Sequence, residues 1–286
     1  MQIKNSFQNP ALWLAILMMF LNWGLEAFKW QLLLRPLERI SYANAYRSVL
    51  AGCSITMLTP NRVGEYGGRI LYVKEQHRFD AIPLTILGSV SQLFITVLMG
   101  TLGLVYLKYV SQDKQLFNSL PAYTEDILLY ISVSAAAFLI LVYLKVGLVV
   151  KFLDKIKWLR KLAAHIILLN TFSRKQLLRI LVLSFLRYMV FILQFILLLQ
   201  IMHVQINFFT CFRLLTVFYL IMAIAPTIGF TELPIRAAAS LEILQLYSSN
   251  LIGIQAASLG IWIINLVTPA IVGSLLIFGI KILKDK

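Results

Sequence analysis

Long apolar runs, each separated by a few polar or charged positions, occupy about residues 10–33, 42–60, 84–107, 126–144, 180–202, 209–226, 232–249 and 254–280. Runs of roughly 20 apolar residues are the length that a helix needs to cross the hydrocarbon of a bilayer. The pattern predicts an all-α, polytopic membrane helix bundle of about eight spans. The second and sixth runs are short and end at Pro60 and Pro226, and the seventh carries Arg236 and Glu242. These three are the segments in which a broken or re-entrant helix, buried in protein, is expected.

Composition agrees with the pattern. Of 286 residues, 60% are hydrophobic and 13% charged. A soluble domain averages nearer half apolar and a quarter charged, so lipid has to be the solvent for much of this surface. The N-terminal run has Lys4 as its one preceding positive charge, lacks a small-residue cleavage site and continues into Trp23, Glu26 and Trp30. It reads as an uncleaved first span rather than a signal peptide.

The net charge of +14 fits basic loops against anionic lipid and not nucleic acid, because the charges lie between apolar runs. Segment 145–179 is the richest, with Lys145, Lys151, Lys155, Lys157, Arg160, Lys161, Arg174, Lys175 and Arg179. Placed in the cytoplasm, it makes an eight-span chain a multi-pass protein of the plasma (cytoplasmic, or cell inner) membrane with both termini cytoplasmic. Arg35, Arg39, Lys108 and Lys114 are then the basic residues left outside. Within the segment, Phe152, Ile156, Leu159, Ala163 and Ile166 recur at helical spacing opposite the lysines, as in a helix lying in the lipid interface.

The sequence also repeats itself. Aligning residues 1–144 with residues 180–286 across the basic linker 145–179 matches Arg47 to Arg213, Pro60 to Pro226 and Gly64 to Gly229. After a small insertion it matches Glu65 and Arg69 to Glu232 and Arg236. Parallel repeats of this sort, with a substrate site at their interface, build many transporters. In each copy, Pro and Gly break a helix. The next helix then begins with free N–H groups that favour an anionic group such as phosphate, and it carries a Glu–Arg pair four residues apart on one face. An internal, self-neutralising ion pair is the competing explanation for each motif, and its duplication favours a ligand.

Within or near the apolar runs, the cations Lys29, Arg47, Arg69, Arg187, Arg213 and Arg236 outnumber the acids Glu26, Glu65, Glu232 and Glu242. Each charge at the bilayer centre costs about 2.5–3.5 kcal/mol even on the gentler scales. The surplus therefore points to an anionic ligand inside the bundle. Glu26 is expected to pair with Arg47, and Lys29 to snorkel to the interface. Pro83 is expected in the first turn of the third span after Asp80, and Pro269 to kink the last. The separated Cys53, Cys211, His77, His165 and His203 show no metal or redox spacing, so neither a metal nor another cofactor is expected.

The stretch TPNRVGEYGGR, with Pro60, Arg62, Gly64, Glu65 and Arg69, and its counterpart APTIGFTELPIR, with Pro226, Gly229 and Glu232 but no Gly–Gly pair, carry a family resemblance. They resemble the transmembrane region of lysylphosphatidylglycerol synthases, which also occurs as free-standing flippase-like membrane proteins. The resemblance implies binding or translocation of an anionic lipid, an anionic phospholipid or a polyprenyl-phosphate lipid, through a polar cavity between the two halves. Its implied binding set is Arg47, Pro60, Arg62, Gly64, Glu65, Arg69, Arg213, Pro226, Gly229, Glu232 and Arg236. The full synthases attach an amino acid to lipid with a large soluble domain. The sequence stops at Lys286 after its last span, so aminoacyl transfer, and enzymatic activity generally, is not expected of it. Two other roles compete with translocation: a subunit presenting lipid to an enzyme partner, and a membrane-embedded headgroup transferase with Glu65 or Glu232 as general base.

Overall fold

A computed structural model of the chain describes residues 9–59, 63–111, 121, 123–145, 165–225, 229 and 231–284. Helix α1 is Pro10–Leu34, α2 Tyr42–Thr56 and α3 Gly64–Ile70. A 3₁₀ turn at Glu75–His77 leads into α4, Arg78–Tyr106, which ends in a π turn at Leu107–Ser111. Helix α5 is Tyr123–Leu144, α6 Arg174–Ile201, α7 Phe208–Ile224 and α8 Glu232–Leu244. Helix α9, Leu251–Trp262, continues through a π turn at Ile263–Val267 into α10, Thr268–Lys284.

The expected all-α membrane bundle is what forms, and each of the eight expected segments coincides with a helix. Five helical stretches are long and apolar enough to cross a membrane: Pro10–Leu34, Glu75–Val110, Tyr123–Leu144, Arg174–Ile201 and Leu251–Gly279. The remaining helices are shorter. At 1.5 Å per residue, the 15 residues of α2 reach about 22 Å and the 13 of α8 about 20 Å. A bilayer's hydrocarbon is about 30 Å thick.

These short helices pair as hairpins. Helix α3 folds back antiparallel along α2: the Ser48 hydroxyl donates to the Arg69 carbonyl at 2.9 Å, and Gly68 lies against the backbone of Ala51 and Gly52. A Cβ on Gly68 would collide with the Ala51 carbonyl oxygen and the Gly52 Cα, whereas one on neighbouring Gly67 would meet nothing. Helix α8 folds back along α7 in the same sense, with Arg236 over the ring of Phe218. By the repeat alignment, Phe218 stands at the position of Gly52. A phenyl ring therefore fills, in the second hairpin, the space that the first closes with glycines.

The chain divides into two compact units. One comprises Met1–Asn22, Thr96–Ala136 and Tyr188–Thr268. Its core holds Phe195 and Phe218, edge to face at 5.4 Å, and Tyr188 and Tyr219 at 6.0 Å. Gln194 donates to the Ala15 carbonyl at 2.7 Å and accepts from Asn265 at 2.7 Å. The other unit comprises Trp23–Ile95, Ala137–Arg187 and Pro269–Lys286. In it α10 crosses α2 closely, because Gly273 lies against the Leu50 carbonyl and Ser274 shares a 2.6 Å hydrogen bond with Ser54.

The π turn before α10 is where Pro269 was expected to disturb the last span. Proline has no N–H for the carbonyl four residues back and clashes with it, so the helix widens: Thr268 donates to the Ile263 carbonyl five residues earlier, through both its N–H and its hydroxyl. Pro83, expected in a first turn, lies inside α4, whose start at Arg78 is earlier than the apolar run indicated. Asp80 is occupied there by His165 at 2.5 Å. The interfacial helix expected at 152–166 falls largely on residues 146–164, outside the described residues.

Candidate functional site

The first hairpin owes its turn to side chains that take up backbone groups. The Thr56 hydroxyl donates to the Gly52 carbonyl at 2.7 Å, and Thr59 donates to the Ile55 carbonyl at 3.2 Å. The Gly64 N–H donates to the Thr59 hydroxyl at 2.8 Å. A side chain on Gly64 would collide with Thr59 and the Ile55 carbonyl, so only glycine fits. The N–H of Gly64, expected to be free for an anion, is thus satisfied inside the protein. With seven residues, α3 also has little dipole to offer. The anion-binding argument passes from the helix end to the side chains.

Those side chains meet at Glu26. One carboxylate oxygen accepts from Arg69 at 2.7 Å. The other accepts from Lys29 at 2.8 Å and from Arg187 at 2.9 Å. Arg69 also pairs with Glu65, one turn before it on α3. Glu26, Lys29 and Arg69 are 1–2% exposed and Arg187 is 7% exposed, so the group is almost wholly removed from solvent. The Lys29 ammonium donates further to the Gly88 carbonyl at 3.3 Å and the Ser184 hydroxyl at 3.4 Å. Ser184 is in turn bonded to Ser91 at 2.9 Å.

Two tryptophans back the guanidinium groups. Arg69 lies 5.2 Å from the centre of Trp30, and Arg187 5.1 Å from the centre of Trp23. Cation–π attraction is strongest over Trp and grows when the cation is desolvated. The Trp30 indole donates to Ser48 at 2.9 Å, which fixes the ring against the hairpin. Among the described residues, the cluster contains three cations and two carboxylates. The Nε and Nη1 groups of Arg69 are buried and bond nothing among the described residues.

The second hairpin carries the matching pair. Arg236 donates to Glu232 at 2.5 Å, and the two residues are 9% and 7% exposed. The guanidinium lies 5.5 Å from the Phe218 ring, and its Nε is buried without a partner among the described residues. Arg213, half-buried on α7, stacks over Tyr106 at 4.2 Å. Gly229 is buried at the turn before α8.

Several expectations are corrected. Arg47 is exposed and does not pair with Glu26, whose partners are Lys29, Arg69 and Arg187. On a helical wheel Arg47 precedes the inward-facing Ser48, so it turns outward. Lys29 does not snorkel: it is buried and paired with Glu26 one turn earlier, a gain that outweighs reaching for water. Pro60, Arg62 and Pro226 lie outside the described residues. The sequence reading missed Arg187 as a partner of Glu26, together with the supporting Ser91, Ser184 and the two tryptophans. The i,i+3 spacing of Glu26 and Lys29 was the one signal that could have exposed the cluster.

Two further points complete the geometry. A cavity of about 450 Å³ is lined by Gln31 near the end of α1 and by Arg35, Arg39 and Ile40 in the loop that leads to α2. Among the described residues, no three His, Cys, Asp or Glu side chains gather as a metal ion would require.

Comparison with curated proteins and with solved structures gives no match. A family model, described as the lysylphosphatidylglycerol synthase TM region, matches residues 2–231. That stretch contains the first hairpin, the whole charged cluster around Glu26 and helix α7, and it stops one residue before Glu232. With four-fifths of its length inside that match, the chain belongs to the lysylphosphatidylglycerol synthase transmembrane-region family.

Proposed function

We propose that this membrane protein binds the headgroup of an anionic lipid, a phospholipid or a polyprenyl phosphate, at the cluster around Glu26 and translocates it across the bilayer. The observation that carries the proposal is the charge balance of that cluster. Among the described residues, Lys29, Arg69 and Arg187 exceed Glu26 and Glu65 by one positive charge, in a setting with almost no solvent. A buried uncompensated charge is costly, and one phosphodiester supplies the single negative charge that balances it. Arginine suits the task, since its planar fork matches two phosphate oxygens at once. The Nε and Nη1 of Arg69 are two further guanidinium donors without a partner among the described residues. Family membership supports a lipid ligand and leaves its identity to experiment.

The test is movement of a fluorescent phosphatidylglycerol between leaflets of proteoliposomes, read by dithionite quenching. Arg187→Gln and Glu65→Gln proteins that elute and melt like the parent are expected to move the lipid at least about tenfold more slowly, the loss of one charged hydrogen bond of about 1.5–3 kcal/mol. Wild-type rates in both variants would overturn the proposal.

A further inference from the structure

We propose that the cavity between the end of α1 and the start of α2 binds a phosphomonoester, gripped by Arg35 and Arg39 rather than by the cluster around Glu26. The chain builds this cavity locally. A residue before proline is disfavoured in a helix, so Pro36 stops α1 at Leu34, and the N–H groups of Leu37 and Glu38 both close on the Leu34 carbonyl at 2.9 Å. The Gln31 side chain donates to the Ile40 carbonyl at 2.9 Å and ties the loop back to its own helix. Ser41 then caps α2, its hydroxyl accepting from the Asn44 N–H at 3.2 Å. A loop pinned at both ends holds Arg35 and Arg39 on the wall of one cavity of about 450 Å³. All of these residues belong to one compact unit.

The charge on that wall is not neutralised by the protein. Among the described residues neither Arg35 nor Arg39 enters an ion pair. The acid between them in sequence, Glu38, accepts instead from the Lys74 N–H at 3.4 Å. Each guanidinium offers a planar fork that takes two phosphate oxygens at once. A phosphomonoester carries about 1.5 to 2 negative charges at neutral pH, so it matches the two arginines where a phosphodiester, with a single charge, does not. The volume lies within the roughly 300–1,000 Å³ of ligand pockets, so the cavity takes the esterified group as well as the phosphate.

Arg35 is the first residue after a helix long and apolar enough to cross a membrane. The cavity therefore stands where hydrocarbon gives way to headgroups. A phosphomonoester at that depth has two sources: the headgroup of a lipid, or a small ester arriving from water. Basic residues beside a span also attract anionic lipid with no fixed site. That diffuse attraction counts charge alone, whereas two forks in one cavity distinguish one phosphate ester from another. The inference stands independently of translocation and of any ligand at Glu26.

The test is native mass spectrometry of the full chain in detergent, titrated with phosphatidic acid or with phosphatidylglycerol of the same acyl chains. The wild-type protein is expected to hold phosphatidic acid at least about tenfold more tightly, and an Arg35→Gln/Arg39→Gln protein of parental melting temperature to lose that preference. Arg35→Lys/Arg39→Lys, which keeps both charges and loses the forks, is expected to lose most of it. Arg69→Gln is expected to keep it in full. Millimolar glycerol 3-phosphate separates the two sources: displacement of phosphatidic acid assigns the site to a soluble phosphomonoester, and persistence assigns it to the lipid, each supporting the site. Equal binding of the two lipids by the wild type overturns the inference, as does a preference that survives in either double variant. A preference lost in Arg69→Gln would move the phosphate to the Glu26 cluster and overturn it equally.

Discussion

Glu26 accepts from three cations, and no other buried acid among the described residues joins side chains from so many helices. Removing its charge breaks its buried ion pairs with Lys29, Arg69 and Arg187, and breaking a buried ion pair costs about 3–5 kcal/mol. Glu26→Gln is thus expected to lower the melting temperature in detergent sharply, and adding Lys29→Met to recover part of the loss. A Glu26→Gln protein that melts like the parent would show the cluster to be energetically inert. Glycine makes the opposite kind of demand. Gly68→Ala forces a methyl into the Ala51 carbonyl, an overpacking that costs about 1–3 kcal/mol. Gly67→Ala, which meets nothing, gains up to about 1 kcal/mol of helix propensity. Melting curves of the two variants should move in opposite directions. At this scale the sequence was legible where spacing is local. Glu65 with Arg69 and Glu232 with Arg236 follow from helical geometry alone. Glu26 with Arg187 does not, because their 161-residue separation is closed only by packing of α1 against α6.

The hairpins are the elements that distinguish this bundle from a row of simple spans. Pro60, Pro226 and the adjoining glycines marked both breaks in the sequence, and the helix after each break was anticipated from its Glu–Arg pair. What the pattern could not give was the length of α3. Seven residues containing Gly–Gly carry little hydrophobic signal, so the return arm hid inside a polar stretch. Apolar periodicity reports what faces lipid, and α3 faces α2. The first hairpin is also held by α10, through Gly273 against Leu50 and Ser274 on Ser54. Gly273→Leu is expected to push α10 off α2 and to abolish the monodisperse peak in size-exclusion chromatography, whereas Gly279→Leu, which has no neighbour within 4 Å, should elute normally. Normal elution of both would mean that α10 does not support the hairpin.

Across the whole molecule, the sequence made the membrane class plain and the family recognisable, because apolar runs and the GEYGGR motif are both local patterns. The number of crossings was less accessible, since the seven-residue return arm α3 lies outside the apolar runs that mark spans. The proposed function rests on how the charge is distributed: a cationic cluster buried beside one hairpin and a second Glu–Arg pair on the other. The central claim is that the cluster holds an anionic lipid. Its most direct test is lipid analysis of the protein purified gently from its native membrane, set beside Arg69→Gln and Arg236→Gln proteins of parental stability. The account predicts an anionic phospholipid or polyprenyl phosphate enriched over the bulk membrane and depleted in both variants. A lipid profile equal to the bulk membrane, unchanged by either substitution, would contradict it and leave the cluster as internal ion pairing.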